Sequence, residues 1–185
     1  MASANSKRFM VSLMIALCSG CGEGSATRLR TPLRINELAS SNDVFQDLVG
    51  DTDDWIELYN DSDTDIDLGG FYISDEPDER FKDTLMEGAI VPARGVLLLW
   101  ADTQPNQSNV RAPHLSFQLS STGEGVWLSN PSGYVVDSVE FSGLLPNSGN
   151  WTSLARFPDG TGAFTWCSQA TPEELNGAAC AGENL

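Results

Sequence analysis

The feature that most constrains the fold of this chain is the recurrence of short apolar stretches between clusters of turn-forming residues. No window shows a sustained helical period, and about eight short strands at this spacing are typical of a β-sandwich or a β-barrel. The pattern therefore predicts an all-β protein. The predicted strands are residues 35–39, 55–59, 71–73, 96–100, 115–119, 126–128, 135–141 and 163–166.

Two stretches carry more detail than the rest. Residues 96–100 (VLLLW) form a continuous apolar run, which indicates a strand that is covered on both faces. Residues 130–133 (NPSG) lie between two alternating runs and predict a β-hairpin.

The first segment has the pattern of a targeting signal. Lys7 and Arg8 precede an apolar run at residues 9–17, which is shorter than the ~20 residues that a membrane span needs. Small residues then lead to Cys21, and this ending resembles a bacterial lipobox, although Cys18 stands where that pattern usually has leucine. We expect residues 1–20 to be a lipoprotein-type signal peptide and Cys21 to carry the lipid. An ordinary cleavable signal is the alternative.

Residues 21–32 are rich in Gly, Ser and Thr and predict a flexible tether. Gly22, rather than an acidic residue, follows the cysteine; by resemblance to Gram-negative lipoproteins this favours the outer membrane or cell surface, with secretion as the alternative. The chain holds 26 acidic and 10 basic residues, a net charge of -16. It therefore has no electrostatic reason to bind nucleic acid, and we expect membrane contact only through the lipid.

Two further cysteines, Cys167 and Cys180, lie near the C-terminus. An even pair in an exported protein usually closes, so we predict a structural disulfide that pins the tail at residues 177–185. Such a bridge would contribute about 3 kcal/mol of stability. The chain has a single histidine, and its cysteine spacing fits no zinc pattern.

Several motifs occur in a fixed order between residues 34 and 176. They are INEL (35–38), DWIELYN (54–60), DLGGFYISD (67–75), LLLWAD (97–102), HLSFQL (114–119), RFPDG (156–160), and Thr171-Pro172 with Asn176. Together they resemble the lamin tail domain family. The resemblance implies an immunoglobulin-like β-sandwich, here over residues 33–176, that works as an interaction or envelope-association module. It brings no catalytic residues.

Residues 37–87 carry 17 acidic side chains against Arg80 and Lys82. Two Asp clusters in this band could supply the oxygen ligands that Ca²⁺ prefers. The EF-hand pattern fails, because Ile66 stands where glycine is needed and Tyr72 where the bidentate glutamate belongs. A looser calcium site between the two loops stays open beside the favoured interpretation, a solvated acidic face. The candidate ligands are Asp51, Asp53, Asp54, Asp61, Asp63 and Asp65.

His114 is the only imidazole, and Asp102 or Asp137 could serve as its partner in general-base chemistry. No nucleophile motif or zinc-binding pair accompanies it, so a structural role is favoured. The sequence thus predicts a non-catalytic cell-envelope module, without a cofactor, that binds a protein or glycan partner. The alternative is a Ca²⁺-binding adhesion or accessory module that serves a secreted hydrolase.

Overall fold

The computed structural model describes residues 31–142 and 152–181. The predicted signal peptide, Cys21 and nearly all of the tether lie outside these residues. In the described part of the chain, no helix has the length and apolar character to cross a bilayer. Eleven strands and two short 3-10 helices are formed there. The strands are β1 (Leu33–Ala39), β2 (Asp54–Asn60), β3 (Ile66–Asp67), β4 (Tyr72–Ser74), β5 (Asp83–Thr84), β6 (Ile90–Val91), β7 (Val96–Ala101), β8 (Gly123–Ser129), β9 (Val135–Ser142), β10 (Ser153–Phe157) and β11 (Ala163–Cys167); the 3-10 helices are Pro105–Gln107 and Ala178–Cys180.

The strands pair antiparallel in two main sheets. The five-stranded sheet has the order β11-β10-β1-β2-β7, and the four-stranded sheet has the order β5-β4-β8-β9. Strands β3 and β6 form a small separate ribbon. The prediction of an all-β, immunoglobulin-like sandwich is confirmed.

One apolar core lies between the two main sheets. Ile35, Ile56 and Leu99 enter it from the five-stranded sheet, and Ile73 and Leu128 enter it from the four-stranded sheet; all five side chains are fully buried. Because side chains alternate along a strand, each sheet also has a face that points away from this core. These two outer faces differ in what covers them.

Most of the predicted strands are confirmed, and so is the hairpin at residues 130–133, which joins β8 to β9. The strand predicted at residues 115–119 is wrong. Its alternation correctly marks buried side chains, and the Leu115 amide donates to the Trp100 carbonyl of β7. The next amides bond side chains instead of a strand: that of Ser116 donates to Asp83 and that of Leu119 to Asp54. Only isolated bridges occur there.

An irregularity in β1 sets the register of the sheet's centre. Ile35 pairs with Leu58 and Glu37 pairs with Glu57, so the pairing skips Asn36. Such a bulge re-aims the side chains that follow it. Here it places two glutamates directly opposite each other on neighbouring strands.

Candidate functional site

The C-terminal segment, residues 167–181, covers the outer face of the five-stranded sheet; this surface is called the covered face below. The disulfide that the sequence predicts is present between Cys167 at the end of β11 and Cys180, with 4.2 Å between the two Cα atoms. Both cysteines pack against Ala155 of β10, and Ala170 packs with Trp55 and other apolar residues on the same face. The bridge therefore closes a loop over the sheet.

Glu37 lies under this loop and is fully buried. Its carboxylate accepts hydrogen bonds from the Ser153 hydroxyl, from the Thr171 amide at 3.0 Å and from the Thr171 hydroxyl at 2.8 Å. Burial raises the pKa of Glu37, and these donors oppose that shift. One carboxylate thus joins β1, β10 and the covering loop.

Glu57 is the second buried carboxylate of the covered face. Its Oε2 atom accepts a hydrogen bond from the Glu173 amide at 2.7 Å, whereas its buried Oε1 atom has no hydrogen-bond partner among residues 31–142 and 152–181. Burial, followed by repulsion from Glu37, raises the pKa of Glu57 well above its ordinary value. The pair therefore favours a state in which Glu57 holds a proton.

Three polar side chains extend this network along the same loop. The side-chain NH2 of Asn36 donates to the Asp159 carboxylate at 2.8 Å, and the side-chain oxygen of Asn36 accepts from the Gly160 backbone amide at 2.9 Å. The backbone amide of Asn176 donates to the Asp159 carboxylate at 3.0 Å, and the side-chain NH2 of Asn176 donates to the Arg156 carbonyl at 2.8 Å. The motif residues Asn36, Asp159 and Asn176 therefore connect distant parts of the chain through hydrogen bonds.

Glu37, Cys167 and Cys180 place one potential metal-ligating atom each within 4.8 Å of one another, and no other such group of three occurs among residues 31–142 and 152–181. The sulfur atoms are joined in the disulfide and are not thiolates, which are the form that binds metal. In the oxidised protein this group therefore serves as packing.

His114 and Asp102 form the pair that the sequence left open, and Asp137 is not part of it. The Nδ1 atom of His114 lies 2.5 Å from Asp102 Oδ2, and both residues are nearly fully buried beside the Trp100 ring. Asp137 instead accepts from the Ile35 amide and from the Arg156 guanidinium. The His114 side chain is therefore enclosed between the Trp100 ring and the Asp102 carboxylate.

The calcium candidates fall into two groups at opposite ends of β2. Asp51, Asp53 and Asp54 stand at its start, and Asp61, Asp63 and Asp65 follow its end. A seven-residue strand separates them by ~20 Å, so the two loops do not build a shared site.

The second group already has partners: Arg94 contacts Asp61 at 2.5 Å and Asp63 at 2.9 Å, and Asp65 accepts from the Ala93 amide at 2.9 Å. In the first group, Asp54 accepts from the Leu119 amide at 3.1 Å, and burial raises its pKa to about 7. Burial also raises the pKa of Asp53.

The outer face of the four-stranded sheet is called the open face below. Tyr72 on β4 and Trp127 on β8 lie on it, and Phe81 and Tyr134 stand beside it with 57% and 59% of their surfaces exposed. Sequence reasoning missed both this surface and the Glu37–Glu57 pair. The alternation of Trp127 with buried Val126 and Leu128 was the available signal for the open face.

A family model described as Lamin Tail Domain matches residues 27–143, which is more than half of the chain. The motifs at residues 156–176 lie beyond the matched range, although their side chains bond directly to Asn36 and Glu37 within it. No curated protein matches the chain significantly.

Proposed function

Because the chain belongs to the lamin tail domain family, whose members are non-enzymatic immunoglobulin-like domains, we propose that it is a binding module of a bacterial cell envelope. In this proposal it carries a lipid on Cys21, stands on the tether at residues 21–32 and binds a protein or glycan partner. No catalytic step and no cofactor are required.

One contrast in the structure carries the proposal. The groups with potential for acid–base chemistry, Glu37, Glu57 and the His114–Asp102 pair, are buried and bonded within the fold. The open face instead presents the aromatic side chains of Phe81 and Tyr134 to solvent, and exposed aromatic side chains commonly anchor binding partners. The chemistry that a partner meets is therefore that of a contact surface.

A crevice beside the covered face gives further support. It is lined by Asn42, Phe45, Trp55, Thr152 and Pro172, among others, and is too tight to admit a water molecule. Substrate sites normally enclose several hundred cubic ångströms. This crevice is accordingly packing between the β1–β2 loop and the covering segment.

Site-specific photo-crosslinking in the native cell tests the proposed function. A photoreactive amino acid at Phe81 should give a discrete crosslinked product, whereas the same group at Leu48, which is 85% exposed in the β1–β2 loop, should not. Equal yields at both positions would argue against a dedicated binding face.

The intact mass of the mature protein tests the envelope part of the proposal. A chain that begins at Cys21 with added lipid supports the anchor. An unlipidated start at another residue would assign the protein to the secreted class.

The calcium-dependent alternative has less support, because its candidate ligands stand at the two ends of β2 and several are bonded to Arg94 or to backbone amides. General-base catalysis by His114 would require it to act from a buried position. If a hydrolytic activity were found and His114→Ala abolished it without loss of folding, the non-catalytic proposal would be wrong.

A further inference from the structure

The open face has a construction that favours one class of partner. Val126, Leu128 and Ile73 point from the four-stranded sheet into the core, so Trp127 and Tyr72, which alternate with them, point to the opposite side. Tyr72 pairs with Ser129, and Trp127 is therefore its diagonal neighbour on the adjacent strand, at a distance of about 7–8 Å. The two aromatic side chains share one surface.

A glycine makes room for the Trp127 ring on this surface. A Cβ atom at position 125 would lie 2.2 Å from the Cη2 atom of Trp127 and 2.7 Å from two other ring atoms. The six-membered part of the indole thus occupies the space above Gly125 and lies against the sheet. Trp127 remains partly exposed.

Phe81 and Tyr134 extend the aromatic surface toward the β8–β9 turn. Phe81 packs edge-on against Tyr72, with 4.8 Å between ring centroids and 73° between ring planes. Its ring also adjoins Gly133, where an added Cβ atom would lie 3.2 Å from the Phe81 Cζ atom. The large exposed area of both Phe81 and Tyr134 makes this end of the face accessible.

Acidic side chains occur in the loop that carries Phe81 and on the strand next to Trp127. Glu76, Asp78 and Glu79 are exposed in the loop between β4 and β5, and Glu140 is exposed on β9. The two nearby cations are already engaged within this loop region. Lys82 forms a salt bridge with Asp75 at 2.7 Å, and the Arg80 guanidinium donates to the Pro77 carbonyl at 2.9 Å.

We propose that the open face binds an arginine- and lysine-rich segment of a partner protein, with the aromatic rings receiving the cationic groups and the acidic loop attracting them. The face of an aromatic ring attracts cations at short range, and the neighbouring carboxylates attract them over a longer distance. A second copy of this chain, with a net charge of -16, is repelled. This inference rests on the proposed function, since it names the partner chemistry of that binding face.

A labelled peptide of alternating arginine and glycine is the direct probe, and its citrulline counterpart is the matched neutral ligand. The full chain should bind the arginine peptide saturably, and the binding should weaken as salt is added. The citrulline peptide should bind at least about tenfold more weakly, because it keeps the shape and loses the charge.

Two variants locate the binding to the open face. Phe81→Ala should weaken binding about two- to fivefold through the loss of a cation–π contact, and the Glu76→Gln, Asp78→Asn, Glu79→Gln triple variant should weaken it about tenfold. The control triple variant Asp43→Asn, Asp51→Asn, Glu174→Gln removes the same number of exposed charges elsewhere and should change binding less than about twofold. A thermal melt of each variant checks that it folds.

The other results overturn the proposal in distinguishable ways. If the control triple variant weakens binding as much as the loop variant, the attraction comes from net charge and not from this face. If no cationic peptide binds but a neutral glycan does, and Phe81→Ala weakens that binding, the partner chemistry is wrong and the proposed binding module stands. If cationic peptides and glycans both fail, and crosslinking at position 81 yields no product, both proposals fail together.

Discussion

The covered face and the open face belong to the same sandwich and use charge in opposite ways. On the covered face, Glu37 and Glu57 are fully buried under a disulfide-closed loop that supplies their hydrogen-bond donors. On the open face, acids such as Glu76 and Glu140 are solvated, and the aromatic side chains of Tyr72 and Trp127 are half-buried. Carboxylates hold the structure on one face and remain available for long-range attraction on the other.

The comparison shows that a large net charge says little about where charge matters for stability. Exposed carboxylates contribute weakly to stability because water and salt screen them. A buried carboxylate loses its hydration, so it needs hydrogen-bond donors or an opposite charge within the fold. The effects below therefore decrease from the centre of the covered face, through the open face, to the exposed acidic loops.

Glu37→Ala should have the largest effect, a loss of about 4 kcal/mol in the free energy of unfolding, because it leaves the buried Ser153 hydroxyl and the Thr171 amide without their acceptor. Urea denaturation measures the loss. Glu174→Ala, an exposed acid in the same covering segment, is the control and should stay within about 0.5 kcal/mol of the parent. Equal effects of the two substitutions would erase the distinction between buried and exposed carboxylates.

Replacing both Cys167 and Cys180 by serine should lower the free energy of unfolding by about 3 kcal/mol, since the unfolded chain gains freedom. Hydrogen exchange should show that the loss is local. The amides of Thr171 and Glu173, which donate to the buried glutamates, should lose protection, while those of the β8–β9 hairpin keep theirs. Uniform loss across both sheets would contradict this expectation.

The stability of the protein should decline as the pH rises above about 4.5. Burial raises the pKa of Glu57 well above that ordinary value, so the folded state holds a proton that the unfolded state releases. Glu57→Gln keeps the shape without the charge, so it should reduce this decline and raise the free energy of unfolding at neutral pH. Asp54, whose pKa burial raises to about 7, should preserve part of the slope in the variant. Melts across the pH range measure both effects, and a parent stability that increases over this range would refute the assignment.

On the open face, Gly125→Ala should destabilise the protein by about 1–2 kcal/mol, because its methyl group overlaps the Trp127 ring and forces it away from the sheet. The tryptophan fluorescence should change with it. Gly177→Ala is the matched control, since nothing lies within 4 Å of an added Cβ atom there, and its effect should stay below about 0.5 kcal/mol. A silent Gly125→Ala substitution would show that the ring has room to move.

The exposed acidic loops should give the smallest effect. Millimolar Ca²⁺ should leave the melting temperature unchanged, and a chelator should not lower it, because the two Asp groups are separated by the length of β2 and Arg94 already contacts Asp61 and Asp63. Both measurements are made by calorimetry on the same sample. A rise of several degrees with Ca²⁺ would restore the calcium-dependent alternative.

Local patterns predicted much of the sandwich because strand pairing and burial leave a direct mark on the sequence. The apolar run at residues 96–100 does face the core on one side, through Leu99, and the covered face on the other, through Leu98. Strand β10 was missed, since it is five residues long and carries a charged guanidinium at Arg156. The Arg156 guanidinium forms a salt bridge with Asp137 and donates to two backbone carbonyls, and only the folded structure brings these groups together.

The covered face was harder to predict for a similar reason. Alternation in β2 assigns Glu57 to the side away from the core, and for most strands that side meets water. The segment that buries Glu57 comes more than 100 residues later in the chain, and the donor from Glu173 is a backbone amide without a sequence signature. The resemblance to the lamin tail domain family identified Asn36, Glu37 and Asn176 as motif residues, but it did not indicate which contacts they make.

The position of β1 also determines when the chain can finish folding. This strand is made early, yet it lies between β2 and β10, and its partner residues in β10 follow more than 110 residues later. Pairing over such a separation is slow, because the chain loses the entropy of a long loop before any stabilising contact forms. A nascent chain that stops short of β10 leaves β1 with an unpaired edge, which is a site for aggregation. Synthesis must therefore pass β10 before the central sheet can close.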